Sequence, residues 1–523
     1  MTSFDTHFKI LALAPFQPED AGAVPKPPQV VERSTLDDVM HSMAIRLPLN
    51  IEKSLCPNGS LEFQLANLKS FHPDGIVKSN PFFQKLSQAK AYLESARRKG
   101  ETTSRIREGL HQWPELPTID IQEKKPPAKS KSESNIDNIL SMVALDGTET
   151  AEPGSHQDEV EQIDTVAKAI LTALFGDHRF QEMESAWRGL RLLLQQGVSD
   201  NASATVSIAT VHTQTLAERL DDLTPLIVND LPNVILLDLP FDNTPLSIER
   251  LTAAARWSTT LMVPVIAWVP PAFFQIPKWS RLGALPLIRH HIETQAYAKY
   301  QSVVHSEYGH WLCLTCNRFL IRYPYGEDNQ PRLISFNEPD VNWIAPVWSL
   351  GTLVAQSAYK EGWPTRFCDV QKYQIQDLAL QTGGELPPMV SEAQFDRDRL
   401  EQFVQGGFTP LACESKRDVA FFPKAVVING TSLAYQILLS QVTQFILWCK
   451  DHISSEGDPG HLEEQLKTAL NRFSDQSDPP GFAKAAIDVQ PIDQQGRIPV
   501  AIKLTPSSTT LPGQHPIELH LGW

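Results

Sequence analysis

The sequence predicts an α/β protein of two or three layered sheet-and-helix domains, and three observations carry that reading. At 523 residues the chain exceeds the ~250–300 residues at which one hydrophobic core stops growing. Near-continuous Val, Ile and Leu runs recur between amphipathic segments of helical period, a pattern that suits strands covered on both faces. Residues 117–135 (PTIDIQEKKPPAKSKSESN) are rich in Pro, Lys and Ser with almost nothing to bury, so they read as a linker joining two units.

In the upstream unit, residues 8–14 (FKILALA) form a strand flanked by Pro15 and Pro18. Ser34 or Thr35 caps a helix carrying Leu36, Val39, Met40 and Met43, because a hydroxyl satisfies an orphan N–H. Leu61, Phe63 and Leu65 alternate with Glu62, Gln64 and Ala66 in a second strand. A helix from Pro81 to Arg98 follows, with Phe82, Leu86, Ala89 and Leu93 on one stripe. Residues 1–115 are thus expected as a small domain and 116–158 as a flexible linker. Within that linker, 136–145 holds a short stripe of Ile136, Ile139, Leu140 and Val143 that either docks on a partner or packs on its own domain.

Residues 159–523 form the expected large domain. A helix over 158–173 bears Ile163, Val166 and Ile170, with Leu174 continuing the stripe, and a second runs from Phe180 through Trp187 to Leu194. Strands are expected at 204–211, 233–239 and 261–269, and another in HWLCLTCNRFLIRYPY, closed by Pro324 and Gly326. Helices follow at 347–363, ended by Gly362, at 432–452 and at 461–473. Two alternating segments, 497–506 and 516–523, close the chain as a hairpin or an open sheet edge.

The net charge of −15, from 61 acidic and 46 basic residues, comes without a basic stripe interleaved with aromatics. Nucleic acid is therefore not an expected partner, since its affinity rests on neutralising phosphates. The stretch 432–450 is interrupted by Gln, Ser and Thr and reads as a buried helix, where a membrane span needs ~20 mostly apolar residues. No signal peptide is evident at the N-terminus. Six cysteines, at 56, 313, 316, 368, 413 and 449, form no dense framework, which suits a reducing cytoplasm.

His310, Cys313 and Cys316 have spacing that can serve zinc, but a structural site needs four ligands and His305 alone lies nearby. The His290–His291 pair, Gly383–Gly384 and the Asp221–Asp222 pair suggest no site, and neither a nucleophile elbow nor a phosphate loop is present. No catalytic, metal or cofactor residue is assigned. Trp187-Arg188-Gly189-Leu190 reads either as a functional tetrad, with Arg188 on a carboxylate, or as core anchors with Gly189 at a close contact; the second is favoured because large aromatics mostly bury area.

The upstream segments FKILALAPF, STLDDVMHSMAIRLPLNI, LEFQLANLKSFHPDGIV and NPFFQKLSQAKAYLESARR together resemble the small sheath subunit of type VI secretion systems, TssB or VipA. FQEMESAWRGLRLLL (180–194), residues 297–326, GGFTPL (406–411) and AFF (420–422) resemble the large subunit, TssC or VipB. The resemblance implies domains of the contractile-sheath type, with terminal strands that pair between protomers. It further implies a cytoplasmic, bacterial, non-enzymatic protomer that polymerises helically around an inner tube and contracts to drive protein injection. Implied partners are other copies of the chain, an Hcp-like tube protein, baseplate components and a ClpV-type AAA+ ATPase, with no membrane insertion. Ile136, Ile139, Leu140 and Val143 are the candidate ATPase-recognition segment, and Ile517, Leu519, Leu521 and Trp523, within the arm 497–523, the candidate inter-protomer strand.

Three departures accompany the resemblance: the subunits are fused, seven residues precede Phe8 where an arm is expected, and the recognition segment is internal. A flexible linker of this length spans ~35 Å root-mean-square, enough for the halves to dock. Two alternatives remain: a divergent paralogue acting as cap, initiator or non-contractile assembly, and, remotely, an α/β enzyme with metal at His310, Cys313 and Cys316.

Overall fold

Strand β1 (Phe8–Ala14) is, apart from Lys9 near its start, apolar and buried on both faces. A computed structural model describes residues 4, 7–19, 26–119, 157–198, 204–381, 387–453, 459–477, 479–493, 497–511, 513 and 515–523. In it β1 lies inside a seven-stranded mixed sheet of order β2-β5-β1-β6-β7-β8-β9. The other strands are β2 (Gln29–Val31), β5 (Ala204–Thr210), β6 (Val234–Pro240), β7 (Val265–Trp268), β8 (Leu312–Cys316) and β9 (Phe408–Pro410). β1 pairs in parallel with β5 along its whole length, Phe8↔Ala204 to Ala14↔Thr210, and with β6 from Ile10↔Val234 to Leu13↔Leu237. Only β2 runs antiparallel, as a short edge on β5. Parallel strands need covered crossovers, supplied here by α7 (Leu216–Ile227) between β5 and β6 and α8 (Pro245–Leu261) between β6 and β7.

Two compact units result: residues 1–43, 181–324 and 341–523 form the first, and 44–180 with 325–340 the second. The sequence partition at 115 and 159 is thus cut across. A strand apolar on both faces cannot be covered by the short upstream segment, and β1 instead takes both its neighbours from residues beyond 200.

In the second unit the hairpin β3 (Arg46–Asn50) and β4 (Ser60–Gln64) precedes α2 (Pro73–Ser79), α3 (Pro81–Arg98), α4 (Thr103–Leu110) and α5 (Gln157–Phe175). The Asn80 side chain accepts the Phe82 N–H and starts α3 where Pro81 predicts. Chain before and after the linker meets here: Arg97 holds the buried Glu159, and Lys90 bonds Asp164 at 2.8 Å.

Further along, Met262 adopts a left-handed conformation (φ 52°) that ends α8, so the strand expected over 261–269 shrinks to β7. The strand expected to run to Pro324 stops at Cys316, where Asn317 (φ 74°) bonds the Ala393 and Leu411 carbonyls. Helices α11 (Pro346–Glu361), α13 (Leu433–His452) and α14 (Pro459–Ser474) lie where periodicity places them. The C-terminal alternation becomes an antiparallel meander of β12 (Phe482–Val489), β13 (Pro499–Pro506) and β14 (Ile517–Gly522), of which β12 had escaped the sequence reading. Among the described residues no helix is long and apolar enough to cross a membrane.

Because β1 is bonded on both sides, cutting the backbone at an inserted protease site within 120–156 is expected to leave the two fragments bound one to one through gel filtration. Separation of the fragments without denaturant would contradict the shared sheet.

Candidate functional site

In doubly wound sheets ligands bind beyond the carboxyl ends of the strands where the strand order reverses. Here that place lies between β1 and β6, and it is filled with side chains. Phe16, two residues past β1, is fully buried, with Trp187 at a ring distance of 5.0 Å and Trp348 at 6.2 Å. Trp187, on α6 (His178–Leu192), donates its Nε1–H to the Phe16 carbonyl at 2.9 Å. Gly189 faces Trp348 so closely that a Cβ would lie 2.4 Å from its Cδ1. Leu190 is buried, and Arg188 bonds Glu184 one helical turn back at 2.7 Å. Arg188 thus reaches a carboxylate on its own helix while Trp187 and Leu190 pack inside.

Two buried carboxylates brace this joint. Asp238 on β6 accepts indole N–H bonds from Trp268 (3.0 Å) and Trp348 (2.7 Å). Burial pushes its carboxyl up to about 6, with the two indoles only partly offsetting the loss of water. Glu184 accepts from Arg322, Arg188 and Asn342. Burial alone would raise its carboxyl, but the two guanidiniums and the Asn342 amide hold it down to about 2. Of these groups the sequence singled out only Arg188; for Asp238 the signal available was a single charge inside an apolar run.

The His310, Cys313 and Cys316 spacing does not become a metal site. Residues three apart on a strand face opposite ways, and β8 is buried throughout. Cys313 bonds the Thr409 hydroxyl at 3.5 Å, and burial pushes its thiol up to about 12. His310 bonds Asn429, while His305 is exposed just past the helix Ala298–Val304. His291 meets the Phe274 carbonyl and the Tyr297 hydroxyl, and His290 is exposed. Among the described residues no group of three His, Cys, Asp or Glu can hold a metal ion. All six cysteines are free thiols, and Asp221 and Asp222 lie exposed on α7. Gly383 and Gly384 lie outside the described residues, as do Ile136, Ile139, Leu140 and Val143.

The strand bearing Ile517, Leu519 and Leu521 is β14, an edge of the C-terminal sheet, paired within the chain as Leu504↔Ile517, Ile502↔Leu519 and Val500↔Leu521. Lys503 and Glu518 form a cross-strand ion pair at 2.6 Å. Lys450 bonds the Gly522 carbonyl, and the Trp523 indole reaches the Ile453 carbonyl. The outer edge of β14 carries no strand among the described residues.

The family model for VipB (EvpB/VC_A0108, tail sheath N-terminal domain) matches residues 157–231 and 232–428, more than half of the chain. The chain belongs to the VipB tail-sheath family. It also carries, over residues 8–114, a match to the type VI secretion system VipA model (VipA, VC_A0107 or Hcp2), so small and large sheath subunits are fused in one VipB-type chain. A curated relative is the type VI secretion system sheath protein TssC1 of Pseudomonas aeruginosa (strain PAO1), 24% identical over 363 residues that cover 62% of this chain and 71% of that protein. Among solved structures, a chain of the anti-feeding prophage baseplate gives a TM-score of 0.38 at 10% identity, covering 64% of this chain and 79% of its own. The sheath tail protein Lin1278 of Listeria innocua gives 0.32 at 7%, covering 58% and 59%. At those TM-scores the structural likeness carries no argument.

Gly189→Ala in this sheath protein is expected to cost about 1–3 kcal/mol, since the indole of Trp348 cannot yield in a filled core; thermal melting reads this as a drop of several degrees. Asp238 gives a second expectation. Its folded value of about 6 lies above the ordinary 3.8, so between these pH values the folded chain keeps a proton that the unfolded chain has lost. Stability therefore falls as pH rises through that window and levels off above about 6. Tryptophan fluorescence of the folded protein should show a transition near pH 6 that is missing in Asp238→Asn.

Proposed function

We propose that this chain is a one-piece protomer of a contractile sheath, which polymerises helically around an Hcp-like inner tube in a bacterial cytoplasm and contracts to drive protein injection. The observation that carries the reading is that the VipA-matched and VipB-matched segments share one sheet through β1. The fused chain then does the work of a small-large pair at fixed stoichiometry. A contact between unlike surfaces that does not close generates an open helix, and sheath families self-assemble in this way.

The candidate link between protomers is the C-terminal arm, 497–523, with Ile517, Leu519, Leu521 and Trp523. Support comes from the position of β14 as a sheet edge, where a neighbouring strand can add through backbone hydrogen bonds. Such bonds tolerate large rotations of the bodies they join, which suits a change between two packings. Baseplate components at the tube end and a ClpV-type ATPase acting at Ile136, Ile139, Leu140 and Val143 complete the proposed partners. The partition into segments 1–115, 116–158 and 159–523 is retained here for the two subunit-like pieces and the connection between them.

Electron microscopy of the protein expressed with an Hcp-like tube protein should show long helical tubes in two lengths per subunit. Truncation after His515 should abolish tubes while the tryptophan-reported melting of the body persists. Dimers or short rings from the intact chain, or intact tubes from the truncated one, would contradict the sheath role or the strand's part in it.

A further inference from the structure

Within the second unit, helices α3 and α5 border a groove of about 470 Å³. Leu86 on α3 and Ile163 on α5 line it and are buried, while Val166 on α5 and Ile119 line it and stay half-buried. Val166 belongs to the same helical stripe as Ile163 and Ile170, both of which are covered. One position of a core-facing row is therefore left partly open to water, where further apolar cover is favourable.

The groove sits at both ends of the connection between the VipA-matched and VipB-matched segments. Ile119, the last described residue before that connection, lines it, and α5, the first helix after it, lines it with Glu161, Ile163 and Val166. The sequence between them, 120–156, holds the stripe Ile136, Ile139, Leu140 and Val143 at the spacing of one helix face. So short a helix is marginal alone in water, so the stripe needs a second apolar surface. Fully extended, the flanks 120–135 and 146–156 reach ~55 Å and ~40 Å. A helix over 136–145 is only ~15 Å long. Both flanks therefore let it lie in the groove, at the roughly millimolar effective concentration of a tethered ligand.

We propose that the groove between α3 and α5 is the seat of the chain's own segment 136–145, which docks there as a helix and lays Ile136, Ile139, Leu140 and Val143 over Ile119 and Val166. Groove and stripe complete each other's apolar cover. Docked, the segment ties the connection to the second unit and withholds its stripe from other proteins; released, it offers the stripe to them. This goes beyond the sheath role, since it concerns the packing of the chain on itself and stands whether or not tubes form.

Hydrogen–deuterium exchange of the full-length chain, at low concentration and without a tube protein, tests this. Relative to unfolded-chain rates, the amides of 136–145 should exchange at least tenfold more slowly than those of the Pro- and Lys-rich stretch 122–133. Val166→Glu, at a half-buried position, should remove that difference while the amides of α3 keep their protection. Leu140→Asp, in the connection itself, should do the same, and it keeps the test open where the groove variant fails to fold. Exchange at 136–145 as fast as at 122–133 in the unaltered chain would overturn the proposal, as would protection that survives both substitutions in folded chains. Protection lost on tenfold dilution would assign the seat to a segment of another copy and would overturn it too.

Discussion

Everything in this protein depends on one strand being bonded on both sides. β1 contributes seven residues to a parallel ladder with β5 and four to one with β6, so the VipA-matched segment supplies the centre of a sheet whose other strands from β5 to β9 come from beyond residue 200. A hydrophobic strand of this kind, FKILALA, cannot be satisfied by one neighbour or one covered face, and that requirement draws the start of the VipA-matched segment into a sheet with the VipB-matched strands. The covalent linker adds proximity; the sheet supplies the specificity.

The end of that strand explains how an α/β sheet can act as a mechanical part. The reversal point between β1 and β6, where related architectures hold ligands, is occupied by Phe16, Trp187 and Trp348, with Gly189 letting the helix close on the indole. Two acids brace it in opposite ways. Asp238 has only neutral indole donors and is pushed up, whereas Glu184 has two guanidiniums and is held down. A joint built from such directional bonds has few alternative packings.

Much of this was legible in the sequence. Pro81 and the stripe of Phe82, Leu86, Ala89 and Leu93 mark α3 to the residue, and Gly362 marks the end of α11, because caps and apolar periodicity are local properties. Trp187 and Leu190 are buried, but the hydrogen-bond partner of Trp187, Phe16, lies 171 residues away and nothing local in the sequence points to it. What sequence hid was long-range pairing. β1 read as part of a small upstream domain because nothing local says which strands flank it, and β12 was missed because its exposed run of Lys484, Ala485 and Ala486 lacks apolar alternation. The edge position of β14 was open in the alternation of 516–523 and became definite only with its register against β13.

The most direct test of the shared sheet is hydrogen–deuterium exchange of the intact chain, read at the amides of β1 against those of β5 and β6. A single cooperative sheet predicts that all three exchange together, at the slowest rates in the molecule and with the same response to denaturant. Early and independent exchange of β1, while β5 and β6 stay protected, would show the two segments to be separate domains and would contradict the account.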